Sequence, residues 1–286
     1  MANNRVGNNG PGKGKRQGKG AGMDGAGLRM GRLFDRDSGR SFITAFDHGT
    51  TLRVPPEVGK PLDLLERIVA GEPDGVLIGP GLLKQGAHLF AFRGAPVPVL
   101  RADWTIIDES MKGELGERYR VLTTPKEGAA LGAGALVMYL IMGPEEGTMF
   151  ADNVRAVAHA AHEAHQVGLP LIVEATLWGS RITEKKDPDL LAHICRIAGE
   201  IGADAVKTEY TGDPESMRAV IAGCPVPVLT LGGARGGEGA VVAAARGAIE
   251  GGAKGLIFGR NVWQADDPVR MTASLREVVH GVPVSG

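Results

Sequence analysis

Short apolar runs rich in β-branched residues recur along the chain from residue 41 onward, and longer segments of helical pattern separate them. Runs with few interrupting polar positions are typical of strands buried on both faces of a parallel sheet. Eight runs are predicted to be strands: Ser41–Phe46, Asp74–Ile78, Val97–Ala102, Ala135–Leu140, Leu171–Ala175, Asp204–Thr208, Val226–Leu231 and Gly255–Phe258.

Helix-length segments lie between these strands, most clearly Thr148–Gln166, Asp187–Ile201 and Glu238–Glu250. Glycine stands between several helix ends and the next strand, in "LGAGAL", "VGLPLI", "IGADAV" and "GGAKGL", as expected for a helix C-terminus followed by a short turn. Regular alternation over eight units predicts a closed (β/α)₈ TIM barrel, with a doubly wound open sheet as the alternative. A short helix at Leu28–Phe34 is predicted to close the barrel floor.

The length of 286 residues fits one barrel of about 250 residues plus an extension. Residues 1–22 are rich in Gly, Asn, Lys and Arg and cannot bury much apolar surface, so this N-terminal extension is predicted to be disordered. It could serve as a basic arm for phosphate-rich partners or simply as a solubilising tail. Residues 23–286 are predicted to form a single barrel domain.

The formal net charge of −1 and the absence of a long apolar run give no reason to expect nucleic acid or membrane as a partner. The two cysteines, Cys195 and Cys224, do not have metal-site or C-x-x-C spacing, so we expect no structural disulfide and a reducing, cytoplasmic location. No cluster of metal-ligand spacing occurs, and no metal site is predicted.

Lys207 is the most informative polar residue, because it lies inside an apolar predicted strand. Desolvation within a barrel favours the neutral amine, which is a nucleophile. The two-residue repeat of a strand places Ala205, Lys207 and Glu209 on one face. If Lys207 points inward, Glu209 does too, nearer the barrel mouth, where it is a candidate for substrate binding. The alternative is that Lys207 only forms an ion pair inside the barrel.

Asp47 follows the first predicted strand, at the end of the barrel where TIM-barrel enzymes place their reacting groups. A carboxylate there can transfer protons or hold Lys207 in position, although it can also cap the next loop. His48 is a candidate for substrate binding. Adjacent strand residues face opposite ways, so Asp47 and His48 can both point inward only if the chain bends after the strand.

Glycines follow the last two predicted strands, at Gly232, Gly233 and Gly259, and Arg260 comes next. Glycine lets backbone N–H groups approach an anion closely, and TIM barrels often bind phosphate at these two loops. A phosphate site is therefore predicted here, although tight turns alone would also explain the glycines.

Four motifs carry a resemblance to a known family: "AFDHG" at Ala45–Gly49, "GADAVKTEYTGDP" at Gly202–Pro214, "CPVPVLTLGG" at Cys224–Gly233 and "FGRNVWQADDPV" at Phe258–Val269. With them the chain resembles the class I aldolases of the DeoC and archaeal-type fructose-bisphosphate aldolase family, and it is also similar to the thiolase branch that breaks down autoinducer-2 phosphate.

The resemblance implies that Lys207 forms the Schiff base and that Asp47 is a catalytic carboxylate. It also implies that Gly232, Gly233, Gly259 and Arg260 hold a substrate phosphate. No cofactor is implied beyond the covalent Schiff base, and a homo-oligomer, such as a decamer, is expected.

One departure from the family pattern falls on the fifth predicted strand. Archaeal-type aldolases carry W-x-Y-P-R-G there, with the Tyr as general acid and base, whereas Thr176 occupies that position here. A threonine hydroxyl cannot replace a phenol as an acid. Glu174, in place of the family's Trp, is therefore the candidate for proton transfer, with Thr176 kept as a second candidate catalytic residue.

The functional hypothesis is a Schiff-base aldolase acting on a ketose phosphate of the dihydroxyacetone phosphate type. Two alternatives keep the same lysine chemistry: biosynthetic aldol condensation of the aminoheptulosonate-synthase type, and thiolase-like acyl transfer from a phosphorylated diketone to coenzyme A. A non-catalytic protein that binds phosphosugars is the alternative from a different class.

Overall fold

The computed structural model describes residues 24–52, 54 and 59–281. The predicted disordered segment 1–22 lies outside the described residues. The described strands are β1 (Ser41–Phe46), β2 (Gly75–Ile78), β3 (Val97–Arg101), β4 (Asp103–Thr105), β5 (Tyr119–Val121), β6 (Ala135–Ile141), β7 (Leu171–Thr176), β8 (Ala205–Glu209), β9 (Val228–Leu231) and β10 (Gly255–Phe258).

Eight of these strands form a closed parallel barrel in the order β1-β2-β3-β6-β7-β8-β9-β10, and β10 pairs with β1 to close it. The barrel prediction is confirmed, and each predicted strand lies within two residues of an observed one. The pair β4 and β5 forms a separate antiparallel hairpin that the sequence pattern did not predict. Its strands have three residues each, which is too short for an alternation of apolar and polar positions to be recognised.

The described helices surround the barrel: α1 (Gly25–Leu33), α2 (Pro61–Ala70), α3 (Pro80–Gln85), α4 (Glu109–Leu115), α5 (Pro125–Ala130), α6 (Gly147–Gln166), α7 (Pro188–Glu200), α8 (Pro214–Ala222), α9 (Glu238–Glu250), α10 (Arg260–Trp263) and α11 (Pro268–His280). Three of them begin with an Asp whose carboxylate accepts from the first-turn N–H groups, followed by Pro at the first helical position, a strong start signal: Asp187, Asp213 and Asp267. None of the helices in the described ranges is long and apolar enough to cross a membrane.

Glycine ends several helix-to-strand turns as predicted. Gly168 after α6 and Gly202 after α7 have positive φ angles of 68° and 110°, a region that side chains with a Cβ rarely occupy. These turns are short, so each helix returns directly to the barrel and places the next strand beside the previous one.

Alternate residues of each barrel strand point inward, and their side chains form an inner core with Ile43, Val99 and Ile172 among its members. Leu33, at the end of α1, packs into the same core and closes the floor of the barrel, although α1 begins three residues earlier than predicted. On β8, Ala205 belongs to this inner core while Val206 packs outward against the helices. Lys207 therefore faces the barrel interior.

Candidate active site

A cavity of about 370 Å³ opens at the carboxyl ends of the barrel strands. With the exception of Thr176, the residues predicted to form the site line it: Asp47, His48, Glu174, Lys207, Glu209, Gly232, Gly233, Gly259 and Arg260. The fold thus brings residues from five different strands and the loops that follow them to one place.

Lys207 and Glu174 are cross-strand neighbours in the register of β8 and β7. The Nζ atom of Lys207 lies 2.6 Å from Oε1 of Glu174, and both side chains are buried. An ion pair this close holds the amine in one position at the centre of the cavity. It also places a proton acceptor within direct reach of the amine.

A buried arginine that the sequence reasoning missed lies beneath this pair. Arg101, at the end of β3, donates from Nε to Asp47 at 2.7 Å and from a terminal nitrogen to Glu174, and its other terminal nitrogen lies 3.4 Å from Asp103. Its guanidinium lies over the ring of Tyr139, 3.7 Å from the ring centroid. Arg101 therefore links the carboxylates of three strands into one network.

The charged groups of this network stabilise one another's charged forms. Burial alone would lower the pKa of Arg101, but the facing tyrosine and carboxylates outweigh it and raise this pKa well above its ordinary value. Burial alone would raise the pKa of Asp47, but Arg101, His48 and Lys207 lower it to about 2. Arg101 and Asp47 are therefore both charged at neutral pH, as a buried pair requires.

The pKa of the Asp103 carboxyl shifts in the opposite direction to that of Asp47. Burial, which is the dominant cause, raises its pKa to about 7 in spite of the charge of Arg101 and the hydrogen bond that Asp103 accepts from the backbone N–H of Tyr139. Asp103 therefore changes its charge close to neutral pH, beneath the cavity.

His48 and Asp47 both line the cavity, because a 3₁₀ turn at His48–Thr50 bends the chain directly after Asp47. The His48 ring also packs against Trp263, with 5.4 Å between ring centroids in an edge-to-face arrangement. Burial lowers the pKa of His48 to about 4, so the imidazole is neutral at pH 7. A neutral ring at this position can exchange hydrogen bonds with a polar substrate.

The predicted phosphate loops meet beside His48, whose ring would clash with a Cβ on Gly259. Asn261 ties them together, donating to the carbonyl oxygen of Gly232 at 2.6 Å and accepting from the N–H of Gly236 at 2.9 Å. A Cβ on Gly232 would lie 2.8 Å from the ring of Phe258, so the backbone approaches its surroundings more closely there than any other residue would allow. Arg260 is half-buried and lines the cavity beside these loops.

A family model described as "DeoC/LacD family aldolase" matches residues 41–265, which hold all the barrel strands. The chain belongs to this aldolase family. It is 32% identical to an uncharacterised aldolase of Saccharolobus solfataricus over 90% of this chain and 95% of that protein. It is also 30% identical to 2-amino-4,5-dihydroxy-6-oxo-7-(phosphonooxy)heptanoate synthase of Streptomyces griseus over 91% of this chain and 92% of that protein.

The barrel is similar to a solved archaeal fructose-1,6-bisphosphate aldolase, with a TM-score of 0.76 and 28% identity over 89% of this chain and 99% of the other. That structure is described as having its catalytic lysine covalently bound to the carbinolamine intermediate of the substrate. The chain is accordingly a class I aldolase, a lyase that works through a Schiff base on a lysine and not through a separate cofactor.

Unlike the other candidate site residues, Thr176 lies outside the cavity. It is fully buried, its hydroxyl makes no hydrogen bond within the described ranges, and it does not line the cavity. Tyr139 on β6 does line the cavity, beside Glu174 in the strand register. A phenol of the cavity wall thus lies on the neighbouring strand β6, and not at the position of the family's tyrosine.

Arg101 and Tyr139 could have been found from the sequence. Both occupy inward positions of predicted strands, in the repeats Val97, Val99, Arg101 and Ala135, Val137, Tyr139. A charged residue at an inward position near the carboxyl end of a strand is the same signal that identified Lys207. Within the part of the chain that the structure describes, His, Cys, Asp and Glu form no cluster that could hold a metal ion.

Proposed function

We propose that this aldolase makes or cleaves a carbon–carbon bond in a ketose phosphate of the dihydroxyacetone phosphate type, and that Lys207 forms the Schiff base. The observation that carries this proposal is the position of Lys207. Its amine is buried at the centre of the cavity, paired with Glu174, and surrounded by the candidate proton-transfer groups.

The reaction begins when Lys207 loses a proton, for which Glu174 Oε1 at 2.6 Å is the nearest acceptor. The neutral amine attacks the ketone carbon, a C–N bond forms, and the carbonyl oxygen gains a proton to give a carbinolamine. Loss of water gives an iminium. Its positive charge accepts the electron pair of the breaking carbon–carbon bond, so an enamine forms on Lys207 and an aldehyde leaves as its hydroxyl gives up a proton.

Arg101 binds the carboxylates of both Asp47 and Glu174. We expect them to keep negative charge near Lys207 and so to stabilise the iminium cation as it forms. The substrate phosphate is expected at Gly232, Gly233, Gly259 and Arg260. Held there, it aligns the carbonyl carbon with Lys207, and such positioning supplies a large part of the rate in aldolases and other enzymes.

A second candidate reaction runs in the direction of carbon–carbon bond synthesis. The Streptomyces griseus relative is a synthase, and its similarity covers nearly the whole barrel. Aldol condensation with an amino-acid semialdehyde in biosynthesis is therefore a candidate beside the cleavage of sugar phosphates. Coenzyme A as acyl acceptor is a further alternative that uses the same lysine.

We also expect a homo-oligomer in the cytoplasm, which sedimentation of the purified protein and fractionation of the source cells would check.

The test is to incubate the full chain with dihydroxyacetone phosphate and borohydride and to locate the reduced adduct by peptide mass spectrometry. The adduct is expected on Lys207, and Lys207→Met should abolish it. Lys185 and Lys186 line the same cavity and serve as internal controls. An adduct on either of them, or none at all, would overturn the assignment of Lys207. An acceptor-aldehyde screen on the same preparation then separates the two candidate reactions.

A further inference from the structure

Glu209 is a buried carboxyl that the pairing network of the site does not use. It lies on β8 on the same inward face as Lys207, two residues nearer the barrel mouth, which corresponds to about 6.6 Å along a strand. It lines the cavity and is 4% exposed. Within the described ranges its nearest donors are its own backbone N–H and the Trp178 side chain, and neither makes a hydrogen bond of good geometry with the carboxyl oxygens.

Glu174 and Glu209 line one cavity in opposite electrostatic situations. Glu174 accepts from two buried cations, Lys207 and Arg101. Glu209 has no paired cation among the described residues, and an isolated buried carboxylate is strongly disfavoured, so this side chain keeps its proton. Two carboxyl groups in such different surroundings are a usual arrangement for dividing acid and base roles.

The titratable groups that face Glu209 come from several elements. They are Lys207 on its own strand, Glu174 on β7, Lys185 in the segment after β7 and Cys195 on α7. Burial is the dominant cause of the shift. Together with the negative charge of Glu174 it raises the pKa of Glu209 to about 8, against the opposing effects of the Glu209 backbone N–H, the Trp178 side chain and the charge of Lys207. Glu209 is therefore protonated at neutral pH and loses its proton slightly above it.

A buried acid without a structural partner destabilises the fold, because an apolar side chain would pack there without this cost. Its presence indicates a function in the cavity. The reaction requires such an acid: the carbinolamine on Lys207 can lose its hydroxyl group only if the leaving oxygen gains a proton. Thr176, at the position of the family's tyrosine, neither titrates nor lines the cavity.

We propose that Glu209 is the general acid that protonates the departing hydroxyl of the carbinolamine, a role that rests on the proposed Schiff base at Lys207. The nitrogen lone pair forms the C=N bond, the C–O bond breaks, and the oxygen takes the Glu209 proton and leaves as water. The products are an iminium cation and a Glu209 carboxylate, which attract each other. When the imine is hydrolysed, the carboxylate takes a proton from the attacking water and the acid is restored.

The variant that tests this role is Glu209→Gln, which keeps the size and the neutral charge of the protonated acid but has no proton to donate. Borohydride reduces the imine and not the carbinolamine, so the rate of trapping by dihydroxyacetone phosphate and borohydride reports the dehydration step. This rate is expected to fall by about 10²–10⁴-fold in Glu209→Gln. The exposed Glu215→Gln, in the first turn of α8 directly after β8, is the matched control and should trap at the wild-type rate.

The pH dependence of kcat separates the proposed acid role of Glu209 from a purely structural or substrate-binding role. Wild-type kcat should fall as pH rises through about 8, and Glu209→Gln should lack this fall while its KM stays near wild type. Wild-type trapping rates in Glu209→Gln, or a raised KM with unchanged kcat, would overturn the proposal. Failure of the wild-type protein to trap at Lys207 would instead overturn the proposed function, so the two failures are distinguishable. The wild-type pH profile tests the role even if the variant folds poorly.

Discussion

Lys207 and Glu174 lie opposite each other on neighbouring strands, with 2.6 Å between amine and carboxylate, and Arg101 binds the second oxygen of the same carboxylate. Glu174 therefore connects the nucleophile to the buried cation of the site. It is also the nearest acceptor for the proton that Lys207 must lose.

Glu174→Gln is expected to lower kcat by about 10²–10⁴-fold with a smaller change in KM, because the amide removes the proton acceptor and the negative charge beside the iminium. Thr176→Val should have a much smaller effect, since this hydroxyl is buried away from the cavity. Steady-state kinetics of the two variants would check the ranking. If Thr176→Val lowered kcat more than Glu174→Gln did, proton transfer would depend on the Thr176 hydroxyl and not on Glu174.

Arg101→Met is expected to destabilise the fold by about 3–5 kcal/mol, because it leaves Asp47, Asp103 and Glu174 buried without their shared cation. Urea unfolding at pH 7 measures this loss. Arg101→Lys keeps the charge but cannot bind several carboxylates with one planar group, so an intermediate loss is expected.

The double variant Arg101→Met/Glu174→Gln supplies the control for Arg101. It removes one of the unpaired carboxylates, and part of the lost stability should return. Equal stability of the single and double variants would show that Glu174 and Arg101 do not interact energetically, contrary to their contact.

Much of the fold could be predicted from the sequence, because most barrel strands are short apolar runs and three helices begin with an Asp-Pro signal. Lys207 and Glu209 could be assigned to one inward face from the two-residue repeat alone. The hairpin of β4 and β5 could not, because strands of three residues carry no periodicity.

The partners of the site residues were harder to predict. Arg101 and Glu174 are 73 positions apart in sequence, and the pairing of β6 with both β3 and β7 brings their side chains together. A pattern within one strand reports its inward face but not which strands will lie near it. The sequence consequently indicated Glu174 as a candidate for proton transfer, whereas its two cationic partners and the raised pKa of Glu209 become visible only in the folded barrel.

The free energy of unfolding is expected to fall as pH rises from about 6.5 to 8. The raised pKa of Glu209, about 8 against an ordinary value of 4.5, means that the folded state binds a proton there that the unfolded state has already lost. Asp103, raised to about 7, acts in the same direction over the lower part of this range. Stability is therefore lost as these groups are forced to ionise in the fold.

Glu209→Gln should flatten this pH dependence and be the more stable protein at pH 8, which urea unfolding at several pH values would show. The comparison is best made above pH 6.5, because below it His48, whose pKa is lowered to about 4, contributes an opposite slope. The same slope in both proteins would mean that Glu209 is already ionised in the folded state at neutral pH.

Arg260 lines the cavity next to the glycine loops. Its guanidinium is half-buried, its Nε makes no hydrogen bond within the described ranges, and burial lowers its pKa. A buried donor of this kind is available to a phosphate oxygen. Arg260→Ala should therefore raise KM for a phosphorylated substrate by roughly 10- to 150-fold, the equivalent of about 1.5–3 kcal/mol, and leave kcat nearly unchanged.

Arg235 is the matched control, because it lies near the same loops but outside the main cavity, with its side chain 58% exposed and 3.5 Å from Asp266. Arg235→Ala should change KM much less than Arg260→Ala. An unphosphorylated ketose serves as the second control, since its KM should respond little to either variant. Equal losses for both substrates in Arg260→Ala would show that Arg260 supports the fold around Trp263 and α10, and that the phosphate is held by backbone N–H groups alone.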